Sequence, residues 1–409
     1  MCVLIFLQST ISLAETNDKS ILSERSAFKT SLTQQVHDND PIAPPPQELF
    51  SLIKYPGPLG DMSAYLSKPA DSTKKQAAII WLAGGFPVGG MDQSAWESVP
   101  PSNDQSAKIY RQLGMVMMYP FLRGSGGNPG NQENFLGEVD DVIAALHYLQ
   151  KLEYIDPNRI YLGGHSTGAT LALIVAAANN QFKSVFAFGP VADPQEYGPN
   201  TIKYDPSNAA EARLRAPKNY LNMIEVPTFI IEGSSGNMSD LLDMQKISKN
   251  KMLHFLPVKG ANHFETLAPI NYYIASRINA NAQSPLISTA QVQITFNNFK
   301  VSQMESADLQ QLADIRMSGV KFDQPLSINY YFLAAKNQPL NESTSDFKRL
   351  GFKTSSIVKR QDSQQQTFYL MVASRKVNLL NLKTVFAISA QLNKLSAKHK
   401  IQYQGWNIK

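Results

Sequence analysis

A serine between two glycines, Gly164-His165-Ser166-Thr167-Gly168, and a distant histidine in Gly260-Ala261-Asn262-His263-Phe264 are the residues best suited to covalent chemistry. An unaided hydroxyl is a poor nucleophile. A histidine that takes its proton enables it to attack an acyl carbonyl. The serine follows Arg159-Ile160-Tyr161-Leu162, which reads as a strand, and precedes Ala169-Thr170-Leu171-Ala172-Leu173, which reads as a helix. That context is what a nucleophile elbow requires: a strained turn that presents the serine at the end of a strand. Glycines on either side let neighbouring backbone come close, and the following helix aims free N–H groups at charge developing near Ser166.

The elements that must hold these residues alternate in type. Strands are predicted at 77–82, 115–119, 160–163, 184–188, 228–231 and 253–257, with helices at 104–113, 138–150, 167–178, 239–248 and 264–280. Such alternation argues for an α/β fold over 51–284, a mostly parallel sheet with helices on both faces of the α/β-hydrolase kind. Residues 190–222, rich in Pro and Tyr, break the rhythm and read as a small cap.

In that fold the acid and then the histidine follow the serine, and the histidine sits in the loop after the last strand. Of six histidines, His263 meets this condition, whereas His254 lies inside the strand and His399 in another domain; His165 and His147 read as packing residues. The acid is less defined. Past the strand 228–231 and Glu232-Gly233, the positions where a carboxylate usually stands hold Gly236 and Asn237. Asp240 at the next helix start is preferred, with Glu232 as the alternative and Asp193 as a third carboxylate. Each has a plainer reading, Asp240 as a charge at a helix N-terminus and Glu232 as a loop-fixing residue. The oxyanion hole is expected from the backbone N–H of Thr167 and that of Gly85 or Phe86 in the glycine-rich turn 82–90. The stretch Gly124-Ser125-Gly126-Gly127 has no Lys-Ser/Thr after it, so it reads as a tight loop and not a phosphate cradle. No metal or organic cofactor is implied.

Composition sets the outer bounds. The 409 residues are 43% hydrophobic and 17% charged, enough for two domains. The lone Cys2 excludes an internal disulfide and a thiolate metal site. It heads the short apolar run Val3-Leu4-Ile5-Phe6-Leu7, and residues 1–14 read as a secretory signal cleaved after Ala14, which implies a secreted or periplasmic protein. A basic segment before that run is missing, so the signal is expected to be truncated at its start. Residues 15–50, with Pro44-Pro45-Pro46, read as an extended arm. No later stretch is long and apolar enough for a membrane span.

A linker rich in Asn, Gln and Ser near 280–288 precedes a second domain, 285–409. Helices are predicted at 306–317 (stopped by Gly319), 341–350 and 379–398, and strands at 326–333, 352–359 and 367–374, a compact α+β order. This domain holds 16 basic against 7 acidic residues, a balance of +9, while the rest of the chain stands at −4. Without a Lys/Arg run, a solvated basic face is expected in preference to nucleic-acid binding.

The segments Phe121-Leu122-Arg123-Gly124-Ser125, Gly137-Glu138-Val139-Asp140-Asp141-Val142 and Tyr148-Leu149, with the serine and histidine motifs, resemble the prolyl oligopeptidase family of α/β-hydrolases over about 50–280. The resemblance implies a Ser/Asp/His mechanism on peptide, ester or related acyl bonds. Two departures, the lack of room for an N-terminal β-propeller and the displaced acid, favour esters over peptides. Asp308–Gly319, Pro325-Leu326-Ser327-Ile328, Leu350-Gly351-Phe352 and the ending Tyr403-Gln404-Gly405-Trp406 resemble the regulator of ribonuclease activity B family, which implies a ferredoxin-like fold. That domain is expected to be an appendage for a protein partner or for structure. Two functions compete: a serine hydrolase of small acyl or peptide substrates, and a catalytically silent hydrolase fold that binds through its basic C-terminal domain.

Overall fold

The computed structural model describes residues 21–280, 287–318, 320–321, 324–363 and 365–409. The signal expected at 1–14, the domain boundary at 284/285 and the helix stop at Gly319 lie outside them. The chain divides into two units between Phe296 and Asn297.

The first unit follows the order α1 (Ile21–Ala27), β1 (Phe50–Gly57), β2 (Gly60–Ser67), β3 (Gln76–Leu82), α2 (Ile109–Gln112), β4 (Val116–Pro120), α3 (Glu138–Leu149), β5 (Ile155–His165) and α4 (Thr167–Ala178). It continues with β6 (Val185–Phe188), α5 (Ala209–Arg215), β7 (Thr228–Ser235), α6 (Met238–Ile247), β8 (Leu253–Asn262) and α7 (Leu267–Asn279). Eight strands form one sheet in the order β1-β2-β4-β3-β5-β6-β7-β8. From β4 to β8 every pairing is parallel, whereas β1 and β2 form an antiparallel edge. The central strands are apolar along their length because helices cover both faces; Ala78, Ile79, Ile80, Trp81 and Leu82 are all fully buried. Helix α4 is apolar on every side and buried throughout, as a helix behind the nucleophile strand must be.

All six predicted strands of this region are present. The hairpin β1–β2 was not predicted; β1 is only half-buried, and Pro56 and Gly57 before its turn mask the strand pattern. Helix α2 is a single turn and not the full 104–113, since Asp104 and Ser106 are spent on a local side-chain turn. The cap region 190–222 consists of three short 3₁₀ turns and α5.

The arm is bound to loops at the sheet's carboxyl end. Asp38 donates its N–H to Gly124 O (3.0 Å) and accepts from Gly127 N (2.9 Å), and Val36 O accepts from Gln132 N (2.9 Å). Those loops are braced by Arg123, which forks onto Asp141 (3.0 and 2.9 Å) and also reaches Glu133 (2.7 Å). The charges are buried yet mutually satisfied, which is what permits them inside.

The helix α8 (Thr289–Met317) begins in the first unit, where Val292 and Phe296 join its core. The second unit follows with β9 (Leu326–Ala334), α9 (Asn337–Arg349), β10 (Lys353–Thr354), β11 (Val358–Gln361), β12 (Thr367–Val377), α10 (Leu382–His399) and β13 (Gln402–Ile408). Its antiparallel sheet runs β10-β12-β9-β13 with β11 also on β12, the order of a ferredoxin-like split β-α-β fold. Ile328, Phe332, Phe347, Met371, Leu392 and Trp406 form its core. The single strand predicted at 352–359 is two short ones, and β13 was missed as a strand; it carries a bulge between Tyr403 and Trp406, with Gly405 at φ 94°.

Candidate active site

Ser166 occupies the turn between β5 and α4 with φ 53° and ψ −116°, a conformation an L-residue tolerates only when its surroundings hold it there. Its N–H donates to Phe188 O of the neighbouring β6 (2.7 Å). The flanking glycines are required by space. A Cβ on Gly164 would stand 2.5 Å from Gly168 O, and one on Gly168 would stand 2.1 Å from Leu82 O. The elbow is therefore wedged between its own helix and the end of β3.

His263 follows β8, and Glu232 lies within β7, the adjacent strand. The imidazole Nδ1 is 2.9 Å from Glu232 Oε2, and the carboxylate is 1% exposed. Glu232 also accepts from Gly233 N (2.6 Å) and Asn237 N (2.9 Å), so both oxygens are directed. A Cβ on Gly189, at φ 65°, would lie 2.4 Å from His263 Cε1 and 2.8 Å from Glu232 Oε2. The end of β6 thus passes close against the pair.

Asp240, the carboxylate preferred from sequence, does not face His263. Its Oδ1 accepts from Ala192 N (2.6 Å), and its neighbour is Glu196, whose carboxyl is pushed up to about 7 by burial and then by Asp240 beside it. The correction has a local cause. The loop after β7 turns so that Asn237, at a usual acid position, gives its N–H to Glu232 and its side-chain amide to Gly189 O (3.0 Å). Glu232 thereby takes the place that a later carboxylate would fill. Asp193 caps a 3₁₀ turn and pairs with Lys218 (2.7 Å).

Thr167 opens α4, and its hydroxyl donates to Gly85 O (2.7 Å), which fastens the turn of Gly85 and Phe86 to the elbow. His165 is buried, touches Gln105 Oε1 through Nδ1 (3.1 Å) and lies with its ring 4.6 Å from that of His263. Burial, then the neighbouring His263, pull its pKa down to about 3, so it stays neutral.

Tyr197, unmarked in the sequence, reaches the site from the cap. Its hydroxyl is 2.9 Å from Thr170 Oγ1, one turn along α4 from Ser166. Its ring meets Phe86 edge-on at 5.5 Å and stacks on Phe135 at 5.9 Å. A Pro-Gln-Glu-Tyr turn carries no signal that its tyrosine will fold back onto the nucleophile.

Sheet order, elbow and the histidine–carboxylate pair on adjacent strands define an α/β-hydrolase. Residues 101–233 match the prolyl oligopeptidase family and residues 305–408 match the family "Regulator of ribonuclease activity B". The chain thus joins a region that matches the prolyl oligopeptidase family to a C-terminal domain that matches the ribonuclease-regulator family. The uncharacterized peptidase YtmA of Bacillus subtilis is 28% identical over 159 residues, 36% of this chain and 62% of that protein. The uncharacterized protein RP471 of Rickettsia prowazekii is 28% identical over 165 residues, 38% of this chain and 61% of that one. This chain therefore spans about three-fifths of the length of either relative. A puromycin-hydrolyzing peptidase of Mycobacterium tuberculosis superposes with a TM-score of 0.47 at 16% identity, over 57% of this chain and 39% of its own.

Proposed function

We propose that this protein hydrolyses acyl bonds with Ser166 as nucleophile, His263 as base and Glu232 as the carboxylate that steadies it. The contact of His263 Nδ1 with Glu232 Oε2 at 2.9 Å carries the reading, because it leaves Nε2 as the proton acceptor. The Ser166 proton passes to Nε2 as Oγ attacks the acyl carbonyl, and the imidazolium then donates it to the leaving group. Water repeats the sequence on the acyl-enzyme. The N–H groups of Thr167 and of the Gly85/Phe86 turn are the donors this reading assigns to the oxyanion. Phe86 and Tyr197, both half-buried and backed by the buried Phe135, offer an aromatic wall for an apolar acyl group. Family likeness allows esters and peptides alike; the reading prefers esters. A silent, binding-only protein drew its support from the carboxylate missing at the usual positions, and Glu232 weakens that argument. The apolar N-terminal run supports export of the enzyme, which N-terminal sequencing of the mature protein checks.

A fluorophosphonate probe tests the chemistry. Wild type should label and Ser166→Ala should not; absence of labelling in both would sink the enzymatic reading. Aryl esters of graded chain length against aminoacyl-arylamides then sort the substrate class.

A further inference from the structure

We propose that a second cavity beside the nucleophile, walled by the N-terminal arm, is a subsite for a cationic group carried on an apolar or aromatic part of the substrate. Its role in turnover rests on the hydrolase reading of Ser166. The cavity measures about 580 Å³, within the range of small-molecule sites. Gly84 and Gln105 line it, and both adjoin the catalytic residues. A Cβ on Gly84 would be 3.1 Å from Ser166 Cβ, and Gln105 Oε1 lies 3.1 Å from His165 Nδ1. Phe86, in the same turn, joins the aromatic wall of Phe135 and Tyr197, which does not line this cavity.

The arm supplies Asp38, Asp40 and Ile42 to the wall. It is held in place by the bonds of Asp38 with Gly124 and Gly127 and by Tyr65, whose hydroxyl donates to Ala43 O (2.6 Å). Three carboxylates, those of Asp38, Asp40 and Asp92, line the cavity, and no Lys, Arg or His does. Asp92 Oδ1 is engaged by Ser94 and Asp38 Oδ1 by Asp40 N, whereas the Asp40 carboxylate makes no hydrogen bond among the described residues. Ser125 also lines the cavity; it is only 5% exposed, and its hydroxyl has no partner among the described residues, which leaves it open to a ligand there. Tyr65 and Phe121, edge to face at 5.2 Å, complete a wall that suits a cation with an apolar body.

The test uses the full chain with Ser166→Ala and titrates benzyltrimethylammonium by calorimetry. Binding is expected, weakened by salt, weakened at least about tenfold by Asp40→Asn with Asp92→Asn, and abolished by Ile42→Trp. Benzyl alcohol, its neutral counterpart, should bind at least about tenfold more weakly. In the enzyme with Ser166 restored, aryl esters sharing one acyl group are compared with and without a trimethylammonium on the leaving group. Wild type should favour the cationic ester in kcat/KM, and the two Asn substitutions should erase that preference while leaving the neutral ester unchanged. No binding, binding indifferent to the substitutions, or binding without the preference in a chain that labels would each overturn the subsite. Binding by the Ser166→Ala chain, with a wild type that a fluorophosphonate fails to label, would instead overturn the hydrolase reading and leave the subsite standing.

Discussion

His263 Nδ1 meets Glu232 Oε2 at 2.9 Å across two adjacent strands, β8 and β7, with the carboxylate also held by two backbone N–H groups. A carboxylate so directed fixes the imidazole's tautomer, with the proton on Nδ1 and the other nitrogen left as an acceptor.

Glu232→Gln keeps the shape and removes the charge. Turnover of an aryl ester is expected to drop by about 10³- to 10⁴-fold with little change in KM, as when a triad carboxylate is neutralised. Asp240→Asn, whose side chain accepts from Ala192 N, should cost less than about tenfold by the same measure. The reverse ranking would return the role to Asp240.

Gly189→Ala would place a methyl 2.4 Å from His263 Cε1 at a positive φ. The imidazole must shift away from Glu232, and a misplacement of about 1 Å can cost about 10²-fold in rate. Steady-state kinetics should show kcat falling, while circular dichroism shows the fold retained.

Glu196 sets a pH dependence of stability. Its carboxyl is raised to about 7 from 4.5 by burial and by Asp240, so between those values the folded chain keeps a proton the unfolded chain has lost. The contribution is present below the unfolded value and is lost as pH rises through the folded one. The melting temperature should therefore fall from about pH 5 to about pH 8, and Glu196→Gln, always able to donate towards Asp240, should flatten the curve.

In the C-terminal domain, Asp308 Oδ1 accepts from Trp406 Nε1 (2.7 Å) and from Ser389 Oγ (2.9 Å), all three residues being buried. Trp406→Phe deletes one donor to a buried carboxylate and should cost about 1–3 kcal/mol. Urea unfolding of the variant should show that loss without change in ester hydrolysis.

How far the sequence reaches can be seen residue by residue. Ser166 and its elbow were legible because a sharp strand-to-helix turn needs small residues at fixed offsets, and His263 because chain order in this fold restricts where a base can come from. The parallel strands were legible as apolar runs, since burial on both faces leaves no alternation to confuse them. Strand β1, half-exposed, lost that signal. The acid, the cap tyrosine and the arm-walled cavity belonged to tertiary structure alone. Whether Glu232 or Asp240 meets His263 depends on how the loop after β7 folds, and Asn237 decides it with a backbone N–H that every non-proline residue carries. Sequence determined where Ser166 and His263 stand, at the elbow and after the last strand, through local geometry. The carboxylate was left to packing between strands, because a contact across 31 positions leaves no mark on the spacing of either residue.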